Sequence, residues 1–199
     1  MTKWIMFLFL IVSHNLYAQE KPEGLFINSK APDFKAKDQK GNEIELKDLR
    51  KKGPVVIFFY RGYWCPYSKR ELQRLQDSLA LISDKGGQVV AITPEKQEGV
   101  AKTIDQTKVT YPIISDEDTK IMRLYGVAYQ VDDKAIARYK MANIDLVANN
   151  GQKPGAVYLP ITAVYIVGKD GEIKYRFFDP DYKKQALVSD ILNNLVGLK

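Results

Sequence analysis

Cys65 is the side chain with the most distinctive chemistry in this 199-residue chain, because it is the only cysteine. A lone thiol cannot close a disulfide within the chain, so redox chemistry at this position would need a partner molecule. The only histidine, His14, lies in the first eighteen residues, which are assigned below to a targeting segment. The remaining chain therefore has no Ser/His or Cys/His relay and no histidine-ligated metal site, and we expect neither a metal nor a cofactor.

The residues around Cys65 place it between a strand and a helix. The run from Gly53 to Tyr60 is almost continuously β-branched and aromatic, which is typical of a strand buried on both faces. It leads into the segment Arg61-Gly-Tyr-Trp-Cys-Pro-Tyr-Ser68. Beyond this segment, and before Gly86-Gly87 ends the pattern, apolar residues recur at helical spacing, at Leu72, Leu75, Leu79 and Ile82.

This placement predicts a reactive thiol. The free amides of the first helical turn and the positive end of the helix dipole point toward Cys65 and favour the thiolate, which is the nucleophilic form. Arg61 or Arg70 would add to that effect. Pro66 suits the first turn because its missing amide hydrogen is not needed there. We therefore predict a nucleophilic, partly exposed Cys65, and the alternative is a small buried side chain without chemistry.

Strands and helices alternate through the rest of the chain, which predicts an α/β fold built from parallel βαβ units. After the first buried strand, the periodicity predicts a strand over 88–93, a helix over 95–108, a strand over 111–114 and a helix over 117–125. Hairpins are predicted over 33–46 and 163–178. A last amphipathic helix carries Leu187, Ile191, Leu192 and Leu195. These elements predict a central mixed sheet flanked by helices.

The segment 127–158 is an insertion before the last hairpin. It contains a possible short helix over 134–141 and the polar turn 149–155. Its length suits a segment that covers the site around Cys65, but it would equally suit a surface excursion.

The first eighteen residues have the pattern of a signal peptide. Lys3 is followed by the apolar run Trp4–Val12 and by a polar stretch that ends at Ala18. The apolar run is shorter than the roughly 20 residues that span a bilayer. We expect cleavage after Ala18, export to the periplasm or the medium, and no membrane attachment afterwards. The alternative is a retained anchor or a buried first helix.

The chain after Ala18 has about 180 residues, which suits a single domain over 19–199. The net charge of the whole chain is +6, but its lysines and arginines are scattered among acidic residues. Such mixed charge is typical of solvated faces, so we expect no nucleic-acid partner.

Several motifs resemble the peroxiredoxin-like branch of the alkyl hydroperoxide reductase and thiol-specific antioxidant (AhpC/TSA) family. The resemblance covers nearly the whole chain after the targeting segment and rests on four stretches, Ala31-Pro-Asp-Phe34, Phe59-Tyr-Arg-Gly-Tyr-Trp-Cys-Pro-Tyr67, Leu159-Pro-Ile161 and Asp179-Pro-Asp-Tyr182. It implies a thioredoxin-like fold and a thiol-dependent antioxidant activity.

The chain departs from the family pattern at three places. Ser68 stands where the branch has a second cysteine, so a resolving step within this motif is not available. Phe58 and Gly62 stand where peroxiredoxins have a proline and a threonine that shape the peroxide pocket. Thr162 stands before the late strand, where thioredoxins have a cis-proline and peroxiredoxins often have an arginine.

The resemblance implies a peroxidase in which Cys65 attacks a hydroperoxide and an external thiol or thioredoxin-like protein completes the cycle. Arg61 would hold the thiolate and polarise the peroxide, and the side chains expected to contact substrate are Trp64, Pro66, Ser68 and Thr162. Two alternatives remain open. One is a monothiol oxidoreductase or isomerase that attacks disulfides. The other is a binding protein that has kept the fold and lost turnover.

Overall fold

A five-stranded mixed sheet organises the fold. The computed structural model describes residues 21–198, so the predicted targeting segment and its cleavage site lie outside the described residues. The strands of this sheet are β3 (Val55–Phe59), β4 (Gln88–Thr93), β5 (Ile113–Ser115), β8 (Thr162–Val167) and β9 (Ile173–Asp179). Their order across the sheet is β5-β4-β3-β8-β9, with β3, β4 and β5 parallel and with β8 and β9 antiparallel to their neighbours.

Two smaller strand pairs and the helices complete the described part. The small pairs are β1 (Lys35–Lys37) with β2 (Glu43–Glu45) and β6 (Ala128–Gln130) with β7 (Tyr158–Pro160). The helices are α1 (Leu46–Lys52), α2 (Pro66–Asp77), α3 (Leu79–Asp84), α4 (Gln97–Thr107), α5 (Lys120–Leu124), α6 (Asp133–Met141), α7 (Leu146–Asn150) and α8 (Val188–Asn194). Within residues 21–198, no helix has both the length and the apolar character needed to cross a bilayer.

The alternation of side chains along β3 divides the core into two layers. Successive residues of a strand point to opposite faces. Val55, Ile57 and Phe59 therefore join a cluster under α1 and α5, whereas Val56 and Phe58 join a cluster under α2, α3, α4 and α8. All five residues of β3 are buried, as its continuous apolar run predicts. The fold is the α/β, thioredoxin-like arrangement that the sequence predicts.

The helix after Cys65 differs from its sequence prediction. One helix up to Gly86 is expected, but α2 ends at Asp77 and α3 begins at Leu79. Ser78 between them has ψ 4°, which bends the backbone away from regular helix. The amide of Ser78 still bonds to the carbonyl of Arg74, so the apolar face continues across the bend. Leu72, Leu75 and Ile82 are buried as the spacing predicts.

The insertion 127–158 packs over the end of the sheet where Cys65 lies. Its elements β6, α6, α7 and β7 build a third apolar cluster around Val131, Leu146, Val157 and Leu159. Trp64, from the segment before α2, packs into this same cluster. The insertion is therefore a cover for the Cys65 region, which is the first of the two possibilities raised by its length.

Candidate thiol site

Cys65 is the N-cap residue of α2, as the sequence predicts. Its backbone is extended, with φ −89° and ψ 113°, and Pro66 is the first helical residue. The amide of Cys65 donates to the carbonyl of Gly62 (3.0 Å), and its carbonyl accepts from the amide of Lys69 (3.1 Å). The thiol thus stands at the positive end of a twelve-residue helix.

The exposure predicted for Cys65 is wrong. Only 2% of the residue is accessible to solvent. The prediction considered the strand and the helix next to the thiol, whereas distant segments also pack over it. Tyr129, from the insertion, is close enough for the charge of Cys65 to affect its ionisation. A buried thiol of this kind can be reached by a small molecule more easily than by a protein.

Arg61 is the charged residue beside Cys65, and it is buried as well, with 3% of its surface accessible. Its guanidinium lies over three aromatic rings, those of Tyr182 (4.3 Å), Trp64 (5.1 Å) and Tyr139 (5.5 Å). Its Nη2 donates a hydrogen bond to the hydroxyl of Tyr139. Aromatic faces attract cations, so these rings stabilise a charge that burial alone would disfavour.

The ionisation of Arg61 is coupled to that of its neighbours. Burial alone would lower the pKa of Arg61. Tyr129 and Tyr139 raise it, Cys65 also raises it, and the net shift is upward. The guanidinium is therefore a permanent positive charge that interacts with any negative charge on Cys65.

Ser68 and Pro66 have different environments although both belong to the first turn of α2. Ser68 is buried, and its Oγ accepts a hydrogen bond from the backbone amide of Arg61 (3.3 Å). Ser68 thereby ties the turn before Cys65 to the helix after it. Pro66 is exposed next to the thiol.

Thr162 begins β8 at the same end of the sheet. Its neighbour Ala163 pairs with Phe59, the last residue of β3, so Thr162 is level with the start of the Arg61–Cys65 turn. The Thr162 side chain is buried. Substrate contacts of Trp64, Pro66, Ser68 and Thr162 remain predictions.

Glu95 fixes the turn from its other side. This buried carboxyl group follows β4, and both of its oxygens accept from the amide of Tyr63, at 3.1 and 3.0 Å. Gly62 passes so close that an added Cβ would stand 2.5 Å from Oε1 of Glu95 and 2.5 Å from Nε1 of Trp64. Gly62 also has φ 148°, which side-chain-bearing residues rarely adopt. A glycine is therefore required at position 62, where the family pattern of peroxiredoxins has a threonine.

The environment of Glu95 changes its ionisation. Burial raises the pKa of this carboxyl group to about 8, although the Tyr63 amide and the charge of Lys102 oppose the shift. Glu95 is therefore mostly protonated at neutral pH. Among residues 21–198, no three acidic, cysteine or histidine side chains form a group that could hold a metal ion.

The structure adds four residues that sequence reasoning missed. Tyr139 and Tyr129 come from the insertion, Tyr182 comes from the loop after β9, and Glu95 follows β4. Two signals could have indicated some of them. Tyr182 lies in the Asp-Pro-Asp-Tyr stretch that carries part of the resemblance, and Glu95 is an acidic residue at the carboxyl end of a buried parallel strand.

Comparison with known proteins assigns the chain to a family. The sequence profile of the AhpC/TSA family matches residues 27–176, which include the Cys65 turn and the whole central sheet except the end of β9. The chain belongs to the AhpC/TSA family. Among solved structures, this AhpC/TSA protein is similar to the peroxidoxin BcpB from Mycobacterium tuberculosis, with a TM-score of 0.67 and 17% identity over 87% of this chain and 97% of the other. The yeast mitochondrial 1-Cys peroxiredoxin has a TM-score of 0.62 and 18% identity over 84% of this chain and 73% of the other. At these identities the structures support the fold.

Curated relatives carry two kinds of names. The thiol-disulfide oxidoreductase ResA of Bacillus cereus is 31% identical over 106 residues, which are 53% of this chain and 60% of the relative. The "Putative peroxiredoxin Rv2521" of Mycobacterium tuberculosis is 32% identical over 97 residues, which are 49% of this chain and 61% of the relative. The AhpC/TSA chain thus matches only about three fifths of the length of either relative.

Proposed function

We propose that this protein is a one-cysteine thiol peroxidase that reduces hydroperoxides through Cys65 and is restored by an external thiol. The observation that carries the proposal is the buried pair of Cys65, at the start of α2, and Arg61, whose charge interacts with the thiol group. A positive charge in a site shielded from water stabilises the thiolate and the negative oxygen that leaves when a peroxide is cleaved. Family membership supports the same chemistry.

The reaction proceeds in two stages. The Cys65 thiolate attacks the terminal oxygen of a hydroperoxide, so an S–O bond forms, the O–O bond breaks, and the leaving oxygen takes the electron pair and a proton to give an alcohol or water. Cys65 becomes a sulfenic acid. One external thiol then displaces water to form a mixed disulfide, and a second releases the Cys65 thiol and the disulfide of the reductant. We propose a small thiol or a thioredoxin-like protein as this reductant.

A second candidate function is disulfide exchange, and the similarity to ResA favours it. This chain has no cysteine besides Cys65. A monothiol site could capture a substrate disulfide as a mixed disulfide. Two features of the site favour peroxide over a protein disulfide. Cys65 is almost fully buried, and Ser68 provides no thiol that could release a trapped partner.

Rapid mixing of the reduced protein with hydrogen peroxide tests the proposal. We expect stoichiometric oxidation of Cys65 to a sulfenic acid, at a rate well above that of free cysteine at the same pH, because the buried charge of Arg61 stabilises the oxygen that leaves. Trapping with dimedone and mass spectrometry identify the product and its position. The Cys65→Ser variant is the control and should not react. A rate equal to that of free cysteine, together with capture of Cys65 by a disulfide, would support the second candidate instead.

We propose in addition that the protein is exported, and the support is the pattern of the first eighteen residues. Expression of the full sequence in a Gram-negative host should give a periplasmic protein that begins at Gln19, as read by N-terminal sequencing and cell fractionation. A variant with Leu8→Arg and Leu10→Arg interrupts the apolar run and should remain unprocessed in the cell. A wild-type product that retains Met1 would contradict the assignment.

A further inference from the structure

The insertion contributes two tyrosines to the surroundings of Arg61, and neither was recognised from the sequence. Tyr139 of α6 accepts a hydrogen bond from Nη2 of Arg61, and its ring packs edge-on against Trp64, with 5.2 Å between ring centroids. Tyr129 of β6 is close enough to Arg61 for the charge of the guanidinium to affect its ionisation. Both belong to the third apolar cluster, which also includes Trp64.

The partners of Arg61 are unusual for a buried cation. A buried charge is normally paired with an opposite charge, because its loss of hydration is otherwise costly. Among the ion pairs of residues 21–198, none includes Arg61. Its described surroundings are instead phenol hydroxyls and aromatic faces, which are neutral at physiological pH. Its Nε is buried and has no hydrogen-bond partner among the described residues.

Neutral partners have a different effect on Arg61 from that of a carboxylate. A carboxylate would hold the guanidinium and would also cancel its charge toward other groups. Phenol hydroxyls hold it through oxygen lone pairs and leave its charge available. In the proposed reaction Cys65 gains a full negative charge, and it is electrostatically coupled to both Arg61 and Tyr129.

We propose that Tyr129 and Tyr139 are positioning residues, which hold the Arg61 guanidinium beside Cys65 without neutralising it. This inference rests on the proposed peroxidase function and assigns the 127–158 insertion a part in it. The insertion supplies the polar contacts that position the Arg61 guanidinium. This chain has Gly62 where the family resemblance places a threonine in peroxiredoxins. The two tyrosines act through Arg61, so their contribution depends on the presence of the guanidinium.

Tyrosine-to-phenylalanine variants test this inference, because they keep each ring and remove only the hydroxyl. Tyr139→Phe should lower the rate constant of Cys65 oxidation by hydrogen peroxide about tenfold, since it removes a hydrogen bond to a charged group. Tyr129→Phe should lower the same rate constant by a smaller factor, since it removes a hydroxyl dipole near the guanidinium. Tyr158→Phe is the matched control. It changes another tyrosine of the same insertion, whose ring packs on Arg123, and should react like the wild type.

A double-mutant cycle separates positioning from general loss of structure. In an Arg61→Met background, the Tyr139→Phe change should have no further effect on the rate, because the group through which Tyr139 acts is gone. An equal loss in both backgrounds would show a structural role and overturn the inference. Wild-type rates in both Tyr→Phe variants would also overturn it.

Alkylation of Cys65 by iodoacetamide gives a readout that does not depend on peroxide chemistry. If Arg61 is displaced, the pH profile of alkylation should move to higher pH in the Tyr→Phe variants and remain unchanged in Tyr158→Phe. A change in the height of the profile without a change in its position would indicate altered access and contradict positioning. A wild-type protein that is inert to peroxide would refute the proposed function, and the alkylation profile would still decide the role of the tyrosines.

Discussion

Replacing Ser68 with cysteine should change the oxidation product of the protein from a sulfenic acid on Cys65 to a disulfide between positions 65 and 68. Position 68 is the third residue of α2, one helical turn from the N-cap residue Cys65. Ser68 is buried and its Oγ already faces the turn that leads to Cys65, since it accepts the hydrogen bond from the amide of Arg61. A thiol at this position can therefore attack the sulfenic acid and release water.

The expected changes are large and qualitative. After one equivalent of peroxide, wild-type protein should gain the mass of one oxygen atom, whereas Ser68→Cys should lose the mass of two hydrogens. The variant should also reduce a small disulfide with turnover, because the new thiol can release a partner trapped on Cys65. Mass spectrometry after peroxide treatment and an assay of hydroxyethyl disulfide reduction measure these two properties.

Ser78→Cys is the matched control for the second thiol. Ser78 follows the last residue of α2, so it is about 18 Å along the helix from its start, beyond the reach of a disulfide. That variant should keep the sulfenic acid on Cys65 and show no turnover with hydroxyethyl disulfide. If Ser68→Cys also accumulates a sulfenic acid, the two positions do not approach each other and the first turn of α2 does not have the geometry described above.

The elements around Cys65 could be predicted from the sequence because their signals are local. The continuous apolar run of β3 and the helical spacing of Leu72 and Leu75 lie within twenty residues of the thiol. Each reports the periodicity of its own backbone. Together they place Cys65 at the junction of a strand and a helix, and the N-cap position in α2 confirms it. The alternation of strands and helices also predicts the central mixed sheet, and the resemblance to the family adds the thioredoxin-like fold; the structure confirms both.

The surroundings of the thiol could not be predicted in the same way. Tyr139 is 78 residues from Arg61 in sequence, and it reaches the guanidinium because α6 packs over the third apolar cluster. No periodicity in the insertion indicates where it will pack. The predicted exposure of Cys65 is wrong for the same reason, since it depends on segments that are distant in the chain. Local patterns thus predict the nucleophile, and long-range packing determines its environment.

Glu95→Gln should remove a large part of the pH dependence of folding stability between pH 5 and pH 8. The raised pKa of Glu95, about 8, means that the folded protein keeps a proton that the unfolded chain loses near pH 4.5. Between these values the folded state binds more protons than the unfolded state, so its stability falls as pH rises. The contribution is fully present below about pH 4.5 and is lost as pH rises through 8. Its size is about 5 kcal/mol, because one pKa unit corresponds to about 1.4 kcal/mol and the pKa rises from 4.5 to about 8.

Other buried acids act in the same direction, so the variant must be compared with the wild type across the pH range. Burial raises the pKa of Glu71 to about 7 and that of Asp116 to about 6. Urea unfolding at pH 5, 6.5 and 8 gives the free energy of unfolding at each pH. Wild-type protein should lose stability at each step, and Glu95→Gln should lose several kcal/mol less over the whole range. Glu98→Gln changes an exposed acid of α4 and should follow the wild type.

The comparison also tests how the turn before Cys65 is held. Glu95 reaches the turn through the amide of Tyr63, and glutamine can accept that hydrogen bond without any ionisation. Glu95→Gln should therefore keep the turn intact. Between pH 7 and pH 9, its rate of reaction with peroxide should change less than the wild-type rate does. Equal losses of stability in the variant and the wild type would mean that Glu95 is already ionised at pH 5 in the folded protein. Groups besides the Tyr63 amide and Lys102 would then stabilise the Glu95 carboxylate. The site would hold a negative charge on Glu95 as well as the positive charge on Arg61.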